Sequence, residues 1–161
     1  MGYIEEVREL VGHRRMIFCG SSVIVRNEKG ELLLQQRAEP EGRWCFPGGL
    51  MELGESAEET ARREILEETA LILGKLELIG VYSGPEQLCR APNGDEWYVV
   101  NIAFAASDFS GEARINDGES MALRWFAPAD IPDKLSVTHK RILKDYLRMR
   151  TDASGNVQSD H

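Results

Sequence analysis

The chain has 161 residues, 42% of them hydrophobic, enough for one domain around one sizeable core and too little for two. Its 19 Lys and Arg stand against 27 Asp and Glu, a formal charge of −8. That balance argues against a general nucleic-acid or anionic-membrane surface and is compatible with a cation site. No apolar run reaches the roughly 18 residues of a membrane helix, and the first 15 residues hold no signal-peptide core, so a soluble, cytoplasmic protein is expected. Cys19, Cys45 and Cys89 lack the paired spacing of a zinc site or disulfide framework and are expected to be reduced thiols.

Taken in chain order, Ile4, Val7, Leu10 and Val11 lie at helical spacing and predict a short amphipathic packing helix ended by Gly12. Met16 to Arg26 is β-branched and apolar, Asn27 to Gly30 is a turn, and Glu31 to Arg37 is a second apolar run. Together they predict a β-hairpin. A loop around Pro47-Gly48-Gly49 follows. Ser56 to Leu71 is the strongest helix signal, with Ser56 as N-cap and Glu59 completing a capping box. Further strands are expected at Leu76 to Ser83, Trp97 to Ala106 and Ala122 to Phe126, with turns at Pro92 to Asp95 and Asn116 to Gly118. A last helix is predicted over Val137 to Met149, followed by a polar, flexible tail over 151–161. The fold class is therefore α/β, an α+β mixed-sheet sandwich, with residues 1–150 as one domain.

Chemistry concentrates in the long central helix. Glu64, Glu67 and Glu68 stand at i, i+3 and i+4, which gathers three carboxylates within an arc of about 100°. Such repulsion costs a few tenths of a kcal/mol per pair, and a hard divalent cation would turn it into a binding site. A solvated acidic helix face is the bland alternative. Glu119, in Asp117-Gly-Glu-Ser120, is a later-loop candidate for a general base or an extra ligand, and Asp117, Glu96 and Glu86 are weaker ones. Arg37 is a candidate phosphate contact, with a surface ion pair as its alternative. Trp44 and Tyr82 are aromatic enough to stack on a base but fit the core at least as well.

The segment Gly49-Leu-Met-Glu-Leu-Gly-Glu55-Ser-Ala-Glu-Glu-Thr-Ala-Arg-Arg63-Glu64-Ile65-Leu66-Glu67-Glu68-Thr69-Ala70-Leu71 resembles the signature of the Nudix hydrolase family, whose MutT-like members share G-x5-E-x7-R-E-U-x-E-E-x-G-U, U being apolar. Eight of its nine defined positions match; Ala70 replaces the usual glycine. The approach through Leu32-Leu33-Leu34, Arg37 and Trp44-Cys-Phe-Pro-Gly-Gly49 is similar to the family as well, as is the exit through Arg124-Trp125-Phe126. The resemblance implies a Nudix fold and divalent-metal-dependent cleavage of a pyrophosphate bond in a nucleoside diphosphate or triphosphate derivative. Mg2+ or Mn2+ would be held by Glu64, Glu67, Glu68 and the Gly48 carbonyl. Those glutamates and Glu119 would be the catalytic set and Arg37 a substrate contact, while Gly49, Glu55 and Arg63 would support the site.

Without glycine at Ala70, the helix is expected to run on or end differently. Pro85 lies 14 residues beyond Leu71, a near miss for the proline found in ADP-ribose enzymes. ADP-ribose or nucleotide-sugar cleavage is therefore the alternative, ahead of an RNA-end hydrolase or a non-catalytic nucleotide-binding module. The expected partner is a small nucleotide, with no membrane, nucleic acid disfavoured and room left for a homodimer. Residues 49–71 hold seven glutamates against two arginines, so most of the net charge belongs to this one segment.

Overall fold

The computed structural model describes residues 2–38 and 42–157, with side chains through residue 153. Helices run over Tyr3–Val11 (α1), Ala57–Thr69 (α2) and Val137–Val157 (α3). The strands are Met16–Val25 (β1), Leu32–Arg37 (β2), Trp44–Cys45 (β3), Gly48–Leu50 (β4), Ile72–Leu73 (β5), Glu77–Tyr82 (β6), Leu88–Arg90 (β7), Glu96–Ala106 (β8), Phe109–Ser110 (β9) and Ser120–Phe126 (β10). One sheet has the order β4-β1-β8-β6 with β7 also on β8, a second has β10-β2-β3, and β5 pairs with β9. β1 and β8 are parallel through ten registered pairs from Met16↔Trp97 to Val25↔Ala106, while their other neighbours are antiparallel.

This mixed α/β arrangement agrees with the expected class, but β1 and β2 do not form a hairpin. Among the described residues they are joined by the bridge Arg26↔Leu32 and not by a ladder, and the Asn27 to Gly30 turn passes the chain from one sheet to the other. The reason is burial on both faces. Val23 and Val25 of β1, Leu33 of β2, and Phe104 and Ala106 of β8 pack with Ala61 and Ile65 of α2. The alternate residues Ile24, Leu32, Leu34, Ala103 and Ala105 pack with Trp44, Phe46, Ile142 and Tyr146 towards α3. Period-two alternation therefore sends one apolar run into two cores, and each strand finds its long partner far away in sequence.

The helix ends differ from expectation in instructive ways. α1 ends at Gly12, with φ of 66°, but Leu10 faces solvent instead of packing. The helix is held by polar contacts: the Tyr3 N–H donates to Glu52 Oε2 (2.9 Å), and Arg8 donates to the carbonyls of Arg14 and Glu96 and lies over the Phe18 ring. α2 has the predicted box, Ser56 Oγ accepting from Glu59 N and Glu59 Oε2 from Ser56 N. It stops where a glycine-ended helix would, because Ala70 itself adopts the left-handed conformation (φ 64°, ψ 11°) and donates its N–H to the Leu66 carbonyl. α3 continues beyond Met149 to Val157, so the first seven residues of the expected tail are helical; residues 158–161 lie outside the described residues.

The segment before α3 is stapled to the strand that leads into the glycine loop. Trp44 exchanges backbone hydrogen bonds with Lys134 and Ser136. His139 Nδ1 accepts from the Phe46 N–H at 3.0 Å, its ring stacked on Phe46. That acceptor role requires an unprotonated Nδ1. Burial, helped by the positive charge of Arg37, pushes the His139 pKa down from 6.5 to about 4. Folding therefore prefers the neutral ring, and its stabilisation is full above pH 6.5 and lost as pH falls through about 4. Urea unfolding of His139→Asn should show a shallower loss of stability across that window than the parent; an unchanged slope would refute the assignment. A left-handed alanine costs roughly 1–2 kcal/mol, partly offset by the greater freedom of glycine in the unfolded chain, so Ala70→Gly should stabilise by about 0.5–1 kcal/mol. Calorimetry should read that as a melting temperature about 2 °C higher.

Candidate active site

The site grows from the junction of β2, the β3–β4 loop and α2. Packing of Ala61 and Ile65 against β1 and β2 turns one side of α2 inward, and Glu68 follows at only 6% exposure. Its Oε2 accepts from Gln35 Nε2 (3.1 Å) and the Gly48 N–H (3.0 Å), and its Oε1 accepts from Arg37 Nη2 (3.1 Å). Burial outweighs these donors and pushes the Glu68 pKa up from 4.5 to about 8, Arg37 opposing the rise. Arg37, itself shared with Glu119, is the one cation paired with this carboxylate among the described residues.

Glu64 lies under the glycine loop. A methyl group on Gly49 would fall 2.3 Å from its carboxyl carbon, and one on Gly48 would fall 2.1 Å from the Ser21 carbonyl oxygen. Gly48 is therefore required by close approach of backbone to backbone, while Gly49 leaves room for the Glu64 carboxylate. Burial also pushes the Glu64 carboxyl upward in pKa, against Arg63. Glu67 points outward, its side chain 57% exposed.

Arg63 organises the outer half of the cluster. Its Nε and Nη2 donate to the two Glu55 oxygens (2.7 and 2.9 Å), Nη2 also reaches the Leu50 carbonyl (3.0 Å), and Nη1 donates to Glu64 (2.9 Å) and Glu67 (3.3 Å). Glu55 in turn accepts from the Glu52 N–H and from Thr60 Oγ1. Its pKa is held down from 4.5 to about 2, chiefly by the hydrogen bonds from Arg63. The Glu55–Arg63 pair thus ties the loop to the helix.

On the opposite rim, β10 pairs with β2 with Ser120 opposite Arg37, and a bulge follows between Ser120 and Ala122. This register brings Glu119 to Arg37, Oε2 lying 3.8 Å from Nη1, with the Glu119 side chain 79% exposed. Asp117 caps the turn through the N–H groups of Glu119 and Ser120. Glu86 pairs with Arg141, and Glu96 with Arg90 and Arg15, so neither joins the carboxylates. Trp44 and Tyr82 are core residues, the Tyr82 hydroxyl donating to Asp145.

Gln35 and Ser120 belong to the site although their sequence context did not single them out. Gln35 is fully buried between Glu68 and the Ser120 hydroxyl, which donates to its Oε1 at 3.0 Å. The available signal was the pair of amides, Gln35 and Gln36, closing the apolar run Leu32-Leu33-Leu34.

Among the described residues, no three Asp, Glu, His or Cys side chains already converge as a finished metal cage. Arg63 occupies Glu64 and Glu67, and Arg37 occupies Glu68. The donor chemistry nevertheless fits a hard divalent cation. It offers carboxylates from one turn of helix, a side-chain-free loop over Glu64, and a buried carboxylate short of positive charge.

Comparison with known proteins shows the family. A model of the NUDIX domain matches residues 19–146, and the chain belongs to the Nudix hydrolase family, enzymes acting on acid anhydrides. It is 37% identical over 128 residues to an ADP-ribose pyrophosphatase of Methanocaldococcus jannaschii, covering 79% of this chain and 71% of that one. It is 34% identical to a Bacillus subtilis protein provisionally named an 8-oxo-dGTP diphosphatase, with 86% of each covered. The crystal structure of a MutT NUDIX hydrolase from Burkholderia pseudomallei superposes with a TM-score of 0.68 at 31% identity, covering 80% of this chain and 97% of the other.

Because the Glu55 pKa is depressed, its stabilisation is present above pH 4.5 and lost as pH falls through about 2. Glu55→Gln should unfold at lower urea than the parent at pH 6, with the gap closing as pH falls through that window. A gap of constant size would assign the loss to packing instead.

Proposed function

We propose that this chain hydrolyses the pyrophosphate linkage of a soluble nucleoside diphosphate or triphosphate derivative, with Mg2+ or Mn2+ held by Glu64, Glu67, Glu68 and the Gly48 carbonyl. The observation that carries this reading is the intact carboxylate set of α2 closed over by the Gly48-Gly49 loop, with Glu68 buried and short of positive charge. A divalent cation bound there supplies charge neutralisation of the pyrophosphate and a lowered pKa for the attacking water.

The remaining work falls to side chains. Arg37, on the open rim, presents its guanidinium fork to a phosphate. Glu119, exposed beside it, takes the proton of the water as the new P–O bond forms and the bridging P–O bond breaks. Arg63, fixed by Glu55 and the Leu50 carbonyl, keeps Glu64 and Glu67 facing the same space. Residues 1–150 act in this reading as one catalytic domain. The three thiols free of disulfides, Cys19, Cys45 and Cys89, suit a reducing cytoplasm. Among the described residues no helix is long and apolar enough to cross a membrane.

ADP-ribose is the second reading. It is favoured by the M. jannaschii relative and by Pro85, which opens the turn Pro85–Gln87. The basic residues Lys140, Arg141, Lys144 and Arg148 lie on α3, which packs on the other core from α2, and this favours a small nucleotide over a long RNA. With Mg2+ present, Glu67→Gln and Glu68→Gln should each lower kcat by about a hundredfold or more. Chromatography of products separates the substrates: AMP and ribose 5-phosphate from ADP-ribose, or a nucleoside monophosphate and pyrophosphate from a triphosphate. Full turnover in both variants would overturn the mechanism.

A further inference from the structure

The two arginines of the site are held in different ways. Arg63 uses Nε, Nη1 and Nη2, and its anchors include both oxygens of Glu55 and a backbone carbonyl. Arg37 is held among the described residues by Glu68 Oε1 at 3.1 Å, the more distant Glu119 at 3.8 Å and the neighbouring Cys45 thiol. Its side chain is 38% exposed, so it can swing to the rim, provided that another cation takes its place beside the buried Glu68 carboxylate. Glu68 is equally asymmetric. Oε2 is fixed by Gln35 and the Gly48 N–H, whereas the one donor to Oε1 among the described residues is Arg37.

We infer that Arg37 is an exchangeable counter-ion. A divalent cation and the guanidinium compete for Glu68 Oε1, and arrival of the cation releases Arg37 to grip the substrate phosphate. The inference rests on the metal reading above. Two like charges cannot share one carboxylate oxygen without strong repulsion, and a released guanidinium fork matches a phosphate bidentately. Cation and nucleotide binding are thereby coupled, each favouring the other. Arg63 takes no part in the exchange, because Glu55 and Leu50 hold it whatever happens at Glu64 and Glu67.

The test is a 15N spectrum of the arginine guanidinium groups in the full chain, titrated first with Mg2+ alone and then with α,β-methylene-ADP, whose bridging carbon resists cleavage. The Arg37 signal should be restrained in the metal-free protein, become mobile with Mg2+, and be restrained again with the nucleotide, while Arg63 stays rigid throughout. Binding of Mn2+ alone to Arg37→Gln, read by the electron paramagnetic resonance of free Mn2+, should be about fivefold or more tighter than in the parent. Metal binding that leaves the Arg37 signal restrained, or equal Mn2+ affinity in the variant, overturns the exchange and spares the metal centre. An Arg37 signal that stays mobile with nucleotide overturns the phosphate half of the inference. A parent protein that binds neither cation overturns the metal centre and the exchange together.

Discussion

The buried carboxylate of Glu68 is the interaction on which the rest of the site depends. It receives hydrogen bonds from β2 through Gln35 and Arg37 and from β4 through the Gly48 N–H, while its own backbone belongs to α2. One side chain therefore joins both principal sheets to α2. Burying an ionisable group so deeply is costly unless charge and hydrogen bonds compensate. The compensation is partial: Arg37 is the one cation paired with Glu68 among the described residues and is shared with Glu119, and burial pushes the Glu68 pKa upward. A site that is short of positive charge without a cation is well matched to accept one.

Around this point the chain divides its two tasks between two ion pairs. Glu55 and Arg63 form a dense, multiply anchored clamp that fixes the glycine loop on the helix. Arg37 with Glu68 and Glu119 is the looser arrangement, open to solvent on one side. Rigidity lies beneath the carboxylates and adaptability lies at the rim. His139 and the Trp44 backbone bonds extend the rigid part by fixing the strand that delivers Phe46, Pro47 and Gly48.

What was legible in the sequence was local. The Glu64, Glu67 and Glu68 spacing, the Ser56 capping box and the family signature lie within 23 residues, where helix geometry alone decides which groups meet. The hairpin expected from residues 16–37 failed because the strands are apolar on both faces, and alternation within such a run does not say which distant strand is the partner. Arg37 and Glu68 are 31 residues apart, and Glu119 reaches Arg37 only through the β10–β2 register, so sequence could nominate these residues but not their contacts. Ala70 ends α2 in the left-handed conformation although alanine disfavours it. The packing of Ile65 and Leu71 in one core holds the turn in place despite its strain.

The central claim is that the carboxylates of α2 are a divalent-cation site, and anomalous diffraction from a Mn2+-soaked crystal tests it most directly. The account predicts a manganese peak bordered by Glu64, Glu67 and Glu68 beneath the Gly48-Gly49 loop. Manganese bound only elsewhere on the molecule, with Glu68 still engaged by Arg37, would contradict it.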